Sequence, residues 1–176
     1  MDFAKLLEIL FFPSNVVFIV FLILIYSSFA LMSLFDLFVY GLAVVGFPFS
    51  FYIMNKRARR KNRAALISIL LTLLSFTLLS LIFESLRNLR FLYLSVFAFL
   101  VLGLLVFLIR LNWKISLHVS VLTSSLTILT IFNNAIYPFY LFVPLVAWSR
   151  VRLKAHTINQ TIAGFLLGLA MPLLLF

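Results

Sequence analysis

The sequence predicts an all-α, polytopic integral membrane bundle of about six to seven transmembrane helices, on three observations. Hydrophobic residues make up 65% of the 176 positions and charged residues 10%, with a mean hydropathy of +1.25. A soluble domain is only about half apolar and a quarter charged. Apolar runs approaching the roughly 20 residues that a bilayer crossing needs recur along the chain. Short basic segments separate those runs, and 12 of the 14 Lys and Arg residues fall on what the span count makes one face. The chain reads as a single membrane-embedded domain, residues 1–176, in which 1–54 form an N-terminal interfacial helix and hairpin and 55–176 form a core.

Residues 1–12 mix Asp2, Lys5 and Glu8 with Phe3, Leu6, Leu7, Ile9 and Leu10, the pattern of a short interfacial helix that Pro13 ends. Asp2 and Glu8, with no basic leader and no small-residue cleavage site, argue against a cleavable signal peptide. Spans are predicted near 15–34, 37–54, 65–83, 91–109, 116–132, 135–148 and 157–175. A tight turn around Asp36 makes the first two a hairpin; merging them with the N-terminal helix leaves six spans. The 135–148 span is short and holds Pro138 and Pro144, which predicts a kink or tilt, and Asn133 and Asn134 form a turn ahead of it. Ser116, Ser120, Thr123, Ser124, Thr127 and Thr130 read as small polar residues for close helix packing rather than as ligands. Trp113 and Trp148 read as interfacial anchors.

The cations cluster in three loops: Lys56, Arg57, Arg59, Arg60, Lys61 and Arg63; Arg110 and Lys114; Arg150, Arg152 and Lys154. An even number of predicted spans separates the loops, so all lie on one side with Lys5, and only Arg87 and Arg90 lie opposite. The positive-inside rule makes that side cytoplasmic in a multi-pass cell-membrane protein. Taken alone, such basic runs also serve topology and attract anionic lipid headgroups. They imply membrane lipids as partners, not nucleic acid. The absence of cysteine excludes disulfides and thiolate metal sites.

The two histidines sit where predicted helices leave these loops: His118 in Lys114-Ile115-Ser116-Leu117-His118, and His156 in a segment from Ser149 to Gln160. Imidazole exchanges protons or attacks phosphorus near neutral pH. Basic surroundings at helix N-termini, with no carboxylate after Glu84, point to a phosphate ligand. They also make a multi-carboxylate Mg²⁺ site a poor fit, so no cofactor or metal is expected. A plainer reading of either histidine is a helix cap or an interhelical bond.

In order and spacing these residues resemble the type 2 phosphatidic acid phosphatase superfamily, which also holds the vanadium haloperoxidases, and in particular its divergent small prokaryotic members. Its first motif, Lys, six residues, Arg-Pro, is matched by Lys56 and Arg63, with Ala64 for the proline. Its second, Pro-Ser-Gly-His, is matched by Ser116 and His118, with Ile115 and Leu117 for the other two. Its third, Ser-Arg, five residues, His, three residues, Asp, is matched by Ser149, Arg150 and His156, with Gln160 for the aspartate. The resemblance runs from the first motif to the end of the chain, making 55–176 a phosphatase-like core.

The resemblance implies metal-free hydrolysis of a lipid phosphate or a polyprenyl (pyro)phosphate through a phosphohistidine. His156 would be the nucleophile and His118 the proton donor to the leaving oxygen. Lys56, Arg63 and Arg150 would hold phosphoryl oxygens, with Ser116 as a hydrogen-bond donor. Positioning and charge neutralisation are what phosphoryl transfer most needs, and arginine offers a bidentate fork. Gln160 would orient His156 as a neutral acceptor; Thr157 to Gln160 also reads as a Thr-x-x-Gln capping box, and the two roles are compatible. The four motif substitutions leave two other expectations: a non-catalytic binder or flipping protein for lipid phosphates, and a phosphotransferase to an alcohol.

Overall fold

The structure, a computed structural model, describes residues 2–28 and 90–176. The predicted 37–54 and 65–83 spans, the turn at Asp36 and the Lys56–Arg63 loop lie outside the described residues. Every regular element among the described residues is helical: α1 (Phe3–Leu10), α2 (Pro13–Ser28), α3 (Arg90–Arg110), α4 (Leu117–Phe132), a 3₁₀ helix (Asn134–Leu141), α5 (Phe142–Arg152) and α6 (Ile158–Leu175). The all-α class is thus what the described residues form.

Asp2 opens α1 by accepting a hydrogen bond from the Ala4 N–H at 3.4 Å. Pro13 stands at the first position of α2, where its missing N–H costs nothing, so the proline that ends the first element also begins the second. Between Asn133 and Phe142 the prediction of one kinked span gives way to a 3₁₀ segment followed by the short α5. Pro138 lies inside the 3₁₀ stretch, where it has no N–H to give to a helical ladder, and α5 begins at Phe142. Asn133 makes the expected turn, its side chain accepting from the Ala135 N–H at 3.0 Å.

The chain clusters into two compact units, residues 1–22 with 105–176, and residues 23–104. In the second, Leu24, Val96, Ala98, Leu100 and Leu102 are buried. In the first, α4 is the core. It is buried from His118 through Leu129 with no solvent face, as expected of a helix apolar or small on every side. Helix α6 packs along it through a stripe of Thr161, Gly164, Gly168 and Pro172. A Cβ on Gly164 would stand 2.8 Å from the Ser116 carbonyl oxygen, and one on Gly168 would collide with that of Ser120, so glycine sets how closely these backbones approach. Thr127 bridges to Tyr140 at 2.8 Å and ties the 3₁₀ segment to α4. Helix α1 docks on α5: Ala4 and Leu7 are buried, Phe3 meets Trp148, Phe11 meets Phe142, and the Ser149 hydroxyl donates to the Ala4 carbonyl at 2.7 Å.

Among the described residues one helix, Ile158–Leu175, is long and apolar enough to cross a membrane. The pair Phe3–Leu10 and Asn15–Leu24, bent by 52°, meets the same criterion when taken together, and the apolar segments Leu94–Arg110 and Leu117–Phe132 are shorter.

Candidate functional site

Each histidine of the site arrives on a different kind of support. After α5 the chain turns sharply: Lys154 takes a left-handed conformation with φ of 53°, and the Ala155 and His156 N–H groups donate back to the Arg150 carbonyl at 3.0 and 3.3 Å. That turn brings His156 beside the end of the helix that carries Arg150. Thr157 then caps α6 in the predicted capping box, its hydroxyl accepting from the Gln160 N–H at 3.4 Å while Gln160 Oε1 accepts from the Thr157 N–H at 3.1 Å.

The same Gln160 oxygen lies 3.3 Å from His156 Nδ1. The Thr157 N–H can only donate, which identifies the amide atom facing it as oxygen. His156 Nδ1 must then carry the proton toward it, leaving the lone pair on Nε2. Capping and orienting the histidine are therefore done by one side-chain atom. Burial pushes the His156 imidazole below its ordinary range, helped by the positive charges of Arg150 and Lys114. The bond to Gln160 and the Lys114 carbonyl pull the other way.

His118 comes from the first turn of α4. Ser116 is the N-cap of that helix but makes no side-chain capping bond; its N–H instead donates to the Gln160 carbonyl at 3.2 Å. This backbone bond, with the α4–α6 packing below it, holds the two histidine-bearing corners together across 38 positions of sequence. The His118 and Phe12 rings stand nearly perpendicular, with centroids 5.6 Å apart.

Between the corners lies a cavity of about 180 Å³, lined by both histidines, Arg150, Arg110 and Lys114, with Phe12 and Pro13 closing it from the N-terminal side. Arg150 is 7% exposed and His118 9%. His118 Nε2, Arg150 Nε and Ser116 Oγ are buried without a hydrogen-bond partner among the described residues. Buried polar groups of this kind are costly unless something satisfies them. The donors present, cationic side chains and imidazoles, suit an anion.

Of the residues singled out in the sequence, His118, His156 and Arg150 meet at the cavity. Gln160 contacts His156 from behind, and Ser116 is buried at the α4 cap without lining the cavity. Lys56 and Arg63 lie outside the described residues. Sequence reasoning assigned no site role to Arg110, Lys114, Phe12 or Glu8. Arg110 and Lys114 were visible as loop cations at the mouth of the His118 helix. Glu8 makes an ion pair with Arg150 Nη1, a contact between residues 142 positions apart that no local spacing announces.

No family model, curated protein or solved structure matches this chain.

Proposed function

We propose that the chain is a multi-pass membrane phosphatase acting on a lipid phosphate or polyprenyl (pyro)phosphate, without metal, through a phosphohistidine intermediate. The observation that carries this reading is the convergence of His118, His156 and Arg150, with Arg110 and Lys114, on one cavity. In this reading neutral His156 attacks phosphorus through Nε2, forming the N–P bond as the ester or anhydride P–O bond breaks. His118 gives its proton to the departing oxygen. Water, deprotonated by His118, then attacks the phosphohistidine and frees phosphate and His156. Arg150, Arg110 and Lys114 neutralise the charge spread over the phosphoryl oxygens. Six or seven spans, a cytoplasmic basic face and a substrate tail resting in lipid belong to the same proposal. It is supported by the composition and by large apolar side chains such as Leu166, Leu173 and Leu174 that α6 leaves exposed.

The test is phosphate release, read by malachite green, from a panel of lipid and polyprenyl phosphates in detergent micelles. Release that survives EDTA and vanishes in His156→Ala is expected; full release by purified His156→Ala contradicts the reading.

One observation favours a second reading. The atom that orients His156 is a neutral amide oxygen at 3.3 Å that also caps a helix, a weak brace for an imidazolium. A lipid-phosphate binder or flipping protein would retain the cavity and not need that brace. Vanadate binding with no release from any substrate of the panel would select it.

A further inference from the structure

Arg150 is committed to the cavity on one side and to the N-terminal helix on the other. It lines the cavity with Nε unpartnered among the described residues, while Nη1 is bonded to the Glu8 carboxylate. Glu8 does not line the cavity; its side chain is 35% exposed against 9% for Arg150. The pair is held in register by the docking of α1 on α5. The Ser149–Ala4 bond, the Phe3–Trp148 and Phe11–Phe142 contacts and the buried Leu7 surround it. The next turn of chain delivers Phe12 against His118. The N-terminal helix thus reaches both the guanidinium and the second histidine.

A carboxylate in contact with an arginine offsets its charge for any other anion. The cavity otherwise gathers the charges of Arg110, Lys114 and Arg150, a field that would bind a phosphate dianion tightly. We propose that Glu8 is the positioning and affinity-setting residue of this site: it holds Arg150 through one nitrogen and weakens the grip of the cavity on a phosphoryl group enough for that group to leave. The inference rests on the phosphate-site reading above.

The test uses the full chain in micelles, with inorganic phosphate and orthovanadate as probes in titration calorimetry, and a double-mutant cycle. Glu8→Gln keeps an oxygen that can accept from Arg150 and removes only the charge, so helix docking is retained. It should tighten binding of both anions by about tenfold, the scale of one charge-assisted hydrogen bond. On an Arg150→Ala background the same substitution should change affinity less than twofold, because Glu8 acts through Arg150. A merely structural Glu8 would alter melting temperature and leave anion affinity alone. Unchanged or weaker binding in Glu8→Gln, or equal tightening on both backgrounds, overturns the proposal and leaves the phosphate site standing. Failure of the unmodified protein to bind either anion overturns the site and this inference together.

Discussion

The two histidine corners differ in what supports them. His156 sits in a loop, half-buried, with its proton position fixed by Gln160 through a network of helix-capping bonds. His118 sits in the first turn of a buried helix, with Nε2 unpartnered among the described residues and the Phe12 ring nearly perpendicular to its own. The first arrangement suits a nucleophile, which needs one tautomer and a free lone pair. The second leaves Nε2 of His118 available to a group in the cavity, the atom through which the proposed function has it transfer a proton. One backbone bond, Ser116 N–H to the Gln160 carbonyl, couples a corner built by capping to a corner built by packing.

The largest expected effect that separates the corners is on proton donation. His118→Ala should slow formation of the phosphohistidine by about 10²–10⁴-fold with an alkyl phosphate and much less with a p-nitrophenyl phosphate, whose leaving group needs no proton. Pre-steady-state rates of leaving-group release from the two substrates check it, and equal losses would give His118 a binding role instead. Next comes the packing between the corners. Gly168→Ala forces a Cβ onto the Ser120 carbonyl and should cost about 1–3 kcal/mol by overpacking, read as a lower melting temperature.

Gln160→Asp sharpens the other corner. A carboxylate 3.3 Å from Nδ1 would stabilise the imidazolium and raise turnover by up to about tenfold, one pKa unit of differential interaction. His156 must be neutral to attack, and its pKa lies below the ordinary 6.5, so activity should hold until the pH falls below that value. In Gln160→Asp the acid limb should move to higher pH. A pH–rate profile that does not move separates capping from orientation. The smallest effect belongs to the turn: Lys154→Gly relieves a left-handed backbone and should raise stability by up to ~1 kcal/mol without changing turnover.

Much of this was legible in the sequence because it is local. The capping box is spelled by Thr157 and Gln160 three residues apart, the break at Pro13 by proline chemistry, and the α4 and α6 boundaries by uninterrupted apolar and small residues. Pro138 and Pro144 announce an interruption of the 135–148 segment, but not that it takes the form of a 3₁₀ stretch followed by a short helix. The Glu8–Arg150 pair and the Phe12–His118 contact were invisible because they depend on α1 docking on α5, where packing complementarity, not periodicity, selects the partner. The role of the glycine stripe was equally hidden: Gly164 and Gly168 show what they do only once α4 lies across them.

In the proposed reaction His156 carries the phosphoryl group. Rapid quenching of the protein with a radiolabelled lipid phosphate, followed by peptide mass spectrometry, tests it directly. The account predicts an acid-labile, base-stable phosphoryl adduct on the peptide containing His156, lost in His156→Ala and accumulating in His118→Ala when an activated ester is used. Phosphate release at full rate with no adduct on His156, or with label on another residue, would contradict it.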